Sequence, residues 1–134
     1  MLATIPLLVI VVVAYHVLAL VTATPLDGAV LTLPLPSGAP LPLGLGDLLV
    51  AGGLILLYFE VFKSTRTGVS SIVDHVLSIA LFIVCLLELL LLPAMASAAF
   101  LLITLMTLID VVAGFTVTIS SARRDFGVDH GMHH

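Results

Sequence analysis

Charge is what this sequence has least of. Only 9% of its 134 residues are Asp, Glu, Lys or Arg, while 61% are hydrophobic; a soluble domain carries about 25% charged residues. So few charges cannot cover a core with a solvated surface, which excludes a soluble globular domain. The hydrophobicity excludes a disordered chain. Bases are scarcer still. Four Lys and Arg stand against eight acids, for a formal net charge of −4, so there is no basic footprint for nucleic acid. The single cysteine, Cys85, excludes a disulfide framework. No Gly-Lys-Ser follows the glycines at 44–46 or 52–53, and no zinc-protease, nucleophile-elbow or paired-cysteine pattern occurs. No repeat stands out at a fixed period, and no cofactor is implied. The class that remains is an integral membrane protein.

A helix crosses the hydrocarbon with about 20 residues, and an uncharged run of 18 or more is a candidate. The chain has no acid or base before Asp27, and Pro25 closes that stretch. This predicts a first helix over 4–24, retained rather than cleaved, because it lacks a basic leader and is long for a signal core. Asp47, after Gly44 and Gly46, reads as the N-cap of a second helix over 47–63. Ser71 to Asp74 reads as a capping box opening a third over 71–92. Pro93 suits the first turn of a fourth, over 94–121. The expectation is a single all-α membrane domain, a four-transmembrane-helix bundle, with an outer loop over 25–46 and a cytoplasmic tail over 122–134. Lys63, Arg66, Arg123 and Arg124 all fall on one side of that layout. By the positive-inside rule this side is cytoplasmic, which predicts an N-in, C-in protein of the cell's inner or plasma membrane.

In the outer loop, Leu31, Leu33 and Leu35, then Leu41, Leu43 and Leu45, recur at period two, with Pro34, Pro36, Pro40 and Pro42 between them. Period two puts one apolar face on an extended chain. The prolines restrict any pairing to an edge-type hairpin around Ser37-Gly38. The loop reads as a greasy segment on the membrane surface or over the bundle; a docking ribbon or lid is the sharper alternative.

Ionisable residues inside spans tend to face the interior and are default functional candidates. Here they are His16, Glu60, Asp74, His75, Glu88 and Asp110. On helix three, Ser71, Asp74, Ser78, Cys85 and Glu88 are spaced 3, 4, 7 and 3, which makes one polar stripe. On helix four, Thr107, Asp110, Gly114, Thr118 and Ser121 make a shorter one. Gly114 with Thr118, and Gly53 on helix two, are places where another helix can approach closely. In a hairpin folded about Pro93, Asp110 mirrors residue 76 and so lies level with Asp74 and His75. Asp110 needs a partner, and His75 is the first choice. Glu88 and His16 lie about 8 and 12 Å from their helix ends, near enough in depth to pair. His16 and His75 differ in depth, which argues against haem ligation between them. The blander readings are Asp74 as a cap acid, Glu60–Lys63 as an interfacial pair, and Asp110 as interhelical glue. Asp129, His130, His133 and His134 form a weak metal-chelating set at the tail; short terminal His clusters are more often a frayed end, and an engineered remnant is a further reading.

Two functions follow, with a third behind them. The first is a non-enzymatic subunit that meets membrane lipids and assembles with itself or a larger membrane complex. The second is a small proton- or cation-coupled transporter or channel that uses the intramembrane carboxylates. The third is an enzyme acting on a lipid or quinone.

Overall fold

The computed structural model describes residues 4–66 and 68–129. It is mostly helical. α1 (Leu8–His16) runs directly into a π-helical turn, Val17–Val21. A hairpin of β1 (Ala29–Pro34) and β2 (Pro40–Gly44) follows, then α2 (Leu45–Ser64), α3 (Val69–Leu91), a 3₁₀ turn at Pro93–Met95, and α4 (Ala98–Asp129). Three segments are long and apolar enough to cross a membrane: Leu45–Ser64, Ser71–Leu91 and Ala98–Arg124.

The first helix is shorter than the 4–24 expected. Its regular part covers Leu8–Val21. The Thr22 hydroxyl bonds back to the Leu18 carbonyl, and Ala23 takes a left-handed φ of 48°. Pro25 then disfavours helical backbone at Thr24. Even so, the segment runs the length of α2. At one end Lys63 Nζ donates to the Ile5 carbonyl at 2.8 Å; at the other the Gly46 N–H donates to the Leu26 carbonyl at 2.9 Å.

α4 is the central helix, packed against α2, α3 and α1. The main core joins Val11, Val12 and Tyr15 of α1 with Cys85 of α3, Met95, and Phe100 and Ile103 of α4. The Tyr15 and Phe100 rings lie 4.9 Å apart. Leu8, Leu57 and Met106 form a second cluster. Gly53 lets three helices meet, since a Cβ there would sit 2.8 Å from Met106 Sδ and 3.5 Å from Val11 Cγ1. Its neighbour Gly52 meets nothing, so only one of the pair admits a helix. Outward-facing Ile55, Phe59, Ile72, Val76, Ile83, Leu90 and Ile109 are exposed, as lipid-facing positions would be.

The outer loop departs from an all-α fold by pairing. Leu31 stands opposite Leu43, Leu33 opposite Leu41 and Pro34 opposite Pro40, with a bulge between Ala29 and Leu31. Two facing prolines have no N–H to exchange, so that pair is a non-bonded rung. Rungs alternate in an antiparallel ladder, so the leucine pairs carry the hydrogen bonds. Alternating Leu and Pro thus sorts donors onto one face and blocked residues onto the other. The turn closes with Leu35 N–H to the Ala39 carbonyl at 3.1 Å and Gly38 at φ 84°.

Three more helix starts differ from expectation. α2 begins at Leu45, so Asp47 is not its N-cap but lies one turn in, where its carboxylate accepts from the N–H of Gly44, the actual cap residue, at 2.8 Å. α3 begins at Val69, entered through Gly68 at φ 131°. Ser71 and Asp74 therefore lie inside the helix, and the capping-box reading fails. Pro93 opens a 3₁₀ turn rather than α4; Ser97 starts α4 instead, its hydroxyl accepting from the Phe100 N–H at 3.1 Å. α4 continues through Arg123 and Arg124 to Asp129, because no proline interrupts the stretch predicted as tail.

Candidate functional site

Glu60, one turn from the end of α2, is fully buried. Its Oε2 accepts from the Leu7 N–H at 2.7 Å. That amide stands at the start of α1, where a helix leaves free donors and the positive end of its dipole. Glu60 is therefore a cap supplied in trans, which local spacing could not show because α1 is distant in sequence. Its Oε1 faces Lys63 Nζ at 3.0 Å, off the line of a good hydrogen bond. Lys63 also donates to Asp74 Oδ1 at 2.8 Å. The ammonium thus donates to Asp74 and the Ile5 carbonyl and faces Glu60 as an ion pair.

Asp110, on α4, is 4% exposed. It lines a void with Ser78 and Asp74 of α3, and among the described residues it makes no hydrogen bond or ion pair with His75. His75 instead lays its ring against Gly114, where a Cβ would collide with it, and meets Phe115 edge-on at 4.5 Å. Its Nε2 is buried without a partner. Asp74, His75, Ser78, Asp110 and Gly114 line one void of about 10 Å³, room for about one water. The hairpin about Pro93 thus brings Asp74, His75 and Asp110 to one level.

The second pair lies toward the other end. His16 Nε2 is 3.0 Å from Glu88 Oε2, and His16 Nδ1 is 2.7 Å from the Val12 carbonyl. A carbonyl only accepts, so Nδ1 carries a proton. The His16–Glu88 contact then needs one more, either on Nε2 facing a carboxylate or on Glu88 facing a neutral ring. The pair is net neutral in both cases. Tyr15, Cys85, Phe100 and Ile103, all buried, lie in the core that separates it from the Asp110 void.

The remaining candidates do less. Thr107 donates to the Thr104 carbonyl and Thr118 to the Gly114 carbonyl, so the threonines of the helix-four seam bond their own helix rather than a neighbour. Cys85 packs in the core, and Ser71 lines the void. Among the described residues no three His, Cys, Asp or Glu side chains converge as a metal site. His130, His133 and His134 lie outside the described residues. Searches against protein-family models, curated proteins and solved structures find no match to this chain, so function rests on the geometry itself.

Proposed function

We propose that the chain is a four-helix integral membrane protein, N-in and C-in in the inner or plasma membrane, that takes up a proton or small cation at Asp110. One observation carries this reading: Lys63 pairs with two buried carboxyls, Glu60 and Asp74, while a third, Asp110, makes no ion pair among the described residues and shares a one-water void with Asp74. Removing a charge from water without a partner is strongly unfavourable. A cluster with two carboxylates in excess is relieved by gaining protons or a cation. The positive-inside rule, applied to Lys63 and Arg66, supports a cytoplasmic position for it and uptake from that side. The His16–Glu88 pair is the matching group toward the other face. Proteoliposomes test the idea: acid- or cation-driven flux is expected in the wild type and lost in Asp110→Asn. Wild-type flux in that variant would overturn it.

A second reading, a non-enzymatic subunit, is favoured by the apolar layer of Tyr15, Cys85, Phe100 and Ile103 between the two polar groups. A subunit needs no path across. It predicts concentration-dependent self-association, or co-purification with a larger complex, in mild detergent. The lipid or quinone enzyme gains nothing, since the cluster opens on a void far too small for either substrate.

A further inference from the structure

A larger space lies at the end of the bundle away from Lys63. A cleft of about 450 Å³ separates the starts of α2 and α4, within the range of ligand sites. Val50, Ala51, Leu54 and Leu102 give it apolar walls, and Asp27, Asp47 and Ser97 are its polar lining residues. Charge decides what fits. No Lys or Arg precedes Lys63 in the chain, and among the described residues neither aspartate makes an ion pair. Asp47 spends one oxygen on the Gly44 N–H at 2.8 Å; Asp27 is exposed. The third acid toward this end, Glu88, is already matched by His16. The first turn of α4 adds the opposite character. Ser97 caps Phe100, while the Ala98 and Ala99 amides, which also border the cleft, have no acceptor among the described residues.

We propose that this cleft is a binding site for an ethanolamine-headed phospholipid. One acyl chain lies between Val50, Leu54 and Leu102. The ammonium donates to Asp27 and Asp47, and the phosphate meets the free amides of α4, where a helix N-terminus favours an anion. A primary ammonium has three N–H donors for two carboxylates, which a choline head lacks. A glycerol head brings a net negative charge toward two acids. The proposal rests on residence in a membrane and is independent of Asp110.

The test is native mass spectrometry of the full chain, purified from an equimolar mixture of ethanolamine-, choline- and glycerol-headed phospholipids with identical acyl chains. The expected result is a one-lipid adduct in which ethanolamine exceeds each competitor about tenfold (~1.4 kcal/mol). Asp27→Asn, which touches no cap, should reduce that ratio toward unity. Ala51→Phe should fill the cleft and remove the adduct, while Asp110→Asn leaves it intact. Equal adducts from the three lipids would reveal headgroup-blind annular lipid and overturn the proposal. An ethanolamine adduct that persists in Ala51→Phe would place the lipid elsewhere and overturn it too.

Discussion

Lys63 is the residue on which the buried charges depend. Its ammonium stands between Glu60 at 3.0 Å and Asp74 at 2.8 Å, with its side chain 13% exposed. Removing one partner of a buried ion pair costs about 3–5 kcal/mol, chiefly because the other is left uncompensated. Lys63→Met should therefore lower the thermal midpoint in detergent more than any single surface change. Lys63→Met combined with Asp74→Asn should recover part of that loss, because it removes one of the stranded carboxylates; a double variant as unstable as the single would refute the charge accounting. The levels of these residues were legible in the sequence, since helical rise and a turn at Pro93 set the depths of Asp74, His75 and Asp110. Their partners were not. Spacing does not say how a helix is rotated against its neighbour, so His75, the partner expected for Asp110, packs against Gly114 and Phe115 instead. Nor does it say which helix end stands beside Glu60.

At the scale of the element, small residues decide how closely helices pack, and two glycines make opposite predictions. A Cβ on Gly53 meets the Met106 thioether and Val11. Methionine is flexible enough to give way, and alanine gains up to about 1 kcal/mol of helix propensity over glycine. Gly53→Ala should be near neutral, and Gly53→Val, which adds branched bulk to a filled site, should cost about 1–3 kcal/mol. A Cβ on Gly114 meets a rigid imidazole instead. Gly114→Ala should displace His75 and destabilise the bundle more than Gly53→Ala, a difference that paired melting curves can read. Ser97 holds another junction, bonding the Tyr15 hydroxyl at 2.6 Å while it caps α4. Loss of a cap hydroxyl costs typically about 1 kcal/mol, so Ser97→Ala should lower stability by that amount or more. Helix existence was readable from uncharged runs and the extended loop from the period-two leucines, while its pairing into a hairpin was only allowed for around Ser37-Gly38. Boundaries were less so. Pro93 suits both a 3₁₀ turn and a first helical turn, and the exit through Gly68 depends on backbone geometry that no pattern of apolar residues encodes.

For the whole molecule, the distribution of charge along the bundle axis is the main organising feature. Asp27 and Asp47 sit beside the hairpin, while Lys63 and Arg66 occupy the far end of α2 and the turn after it. On the proposed topology the bases lie on the cytoplasmic face, and α2, 20 residues long, is enough to separate the two ends by about 30 Å at its helical rise. The orientation is therefore testable with two single cysteines. Cys85 is fully buried and can be replaced by alanine to clear the background. Ser37→Cys, at the hairpin turn, should react with a membrane-impermeant maleimide in intact cells. Thr65→Cys, in the turn after α2, should react only after the membrane is opened. The reverse pattern would invert the topology and move the Asp110 cluster to the outer face, and with it the side from which a proton or cation is taken up. Labelling of both cysteines in intact cells would mean that α2 does not cross at all, and the buried carboxylates would then need an explanation other than the membrane.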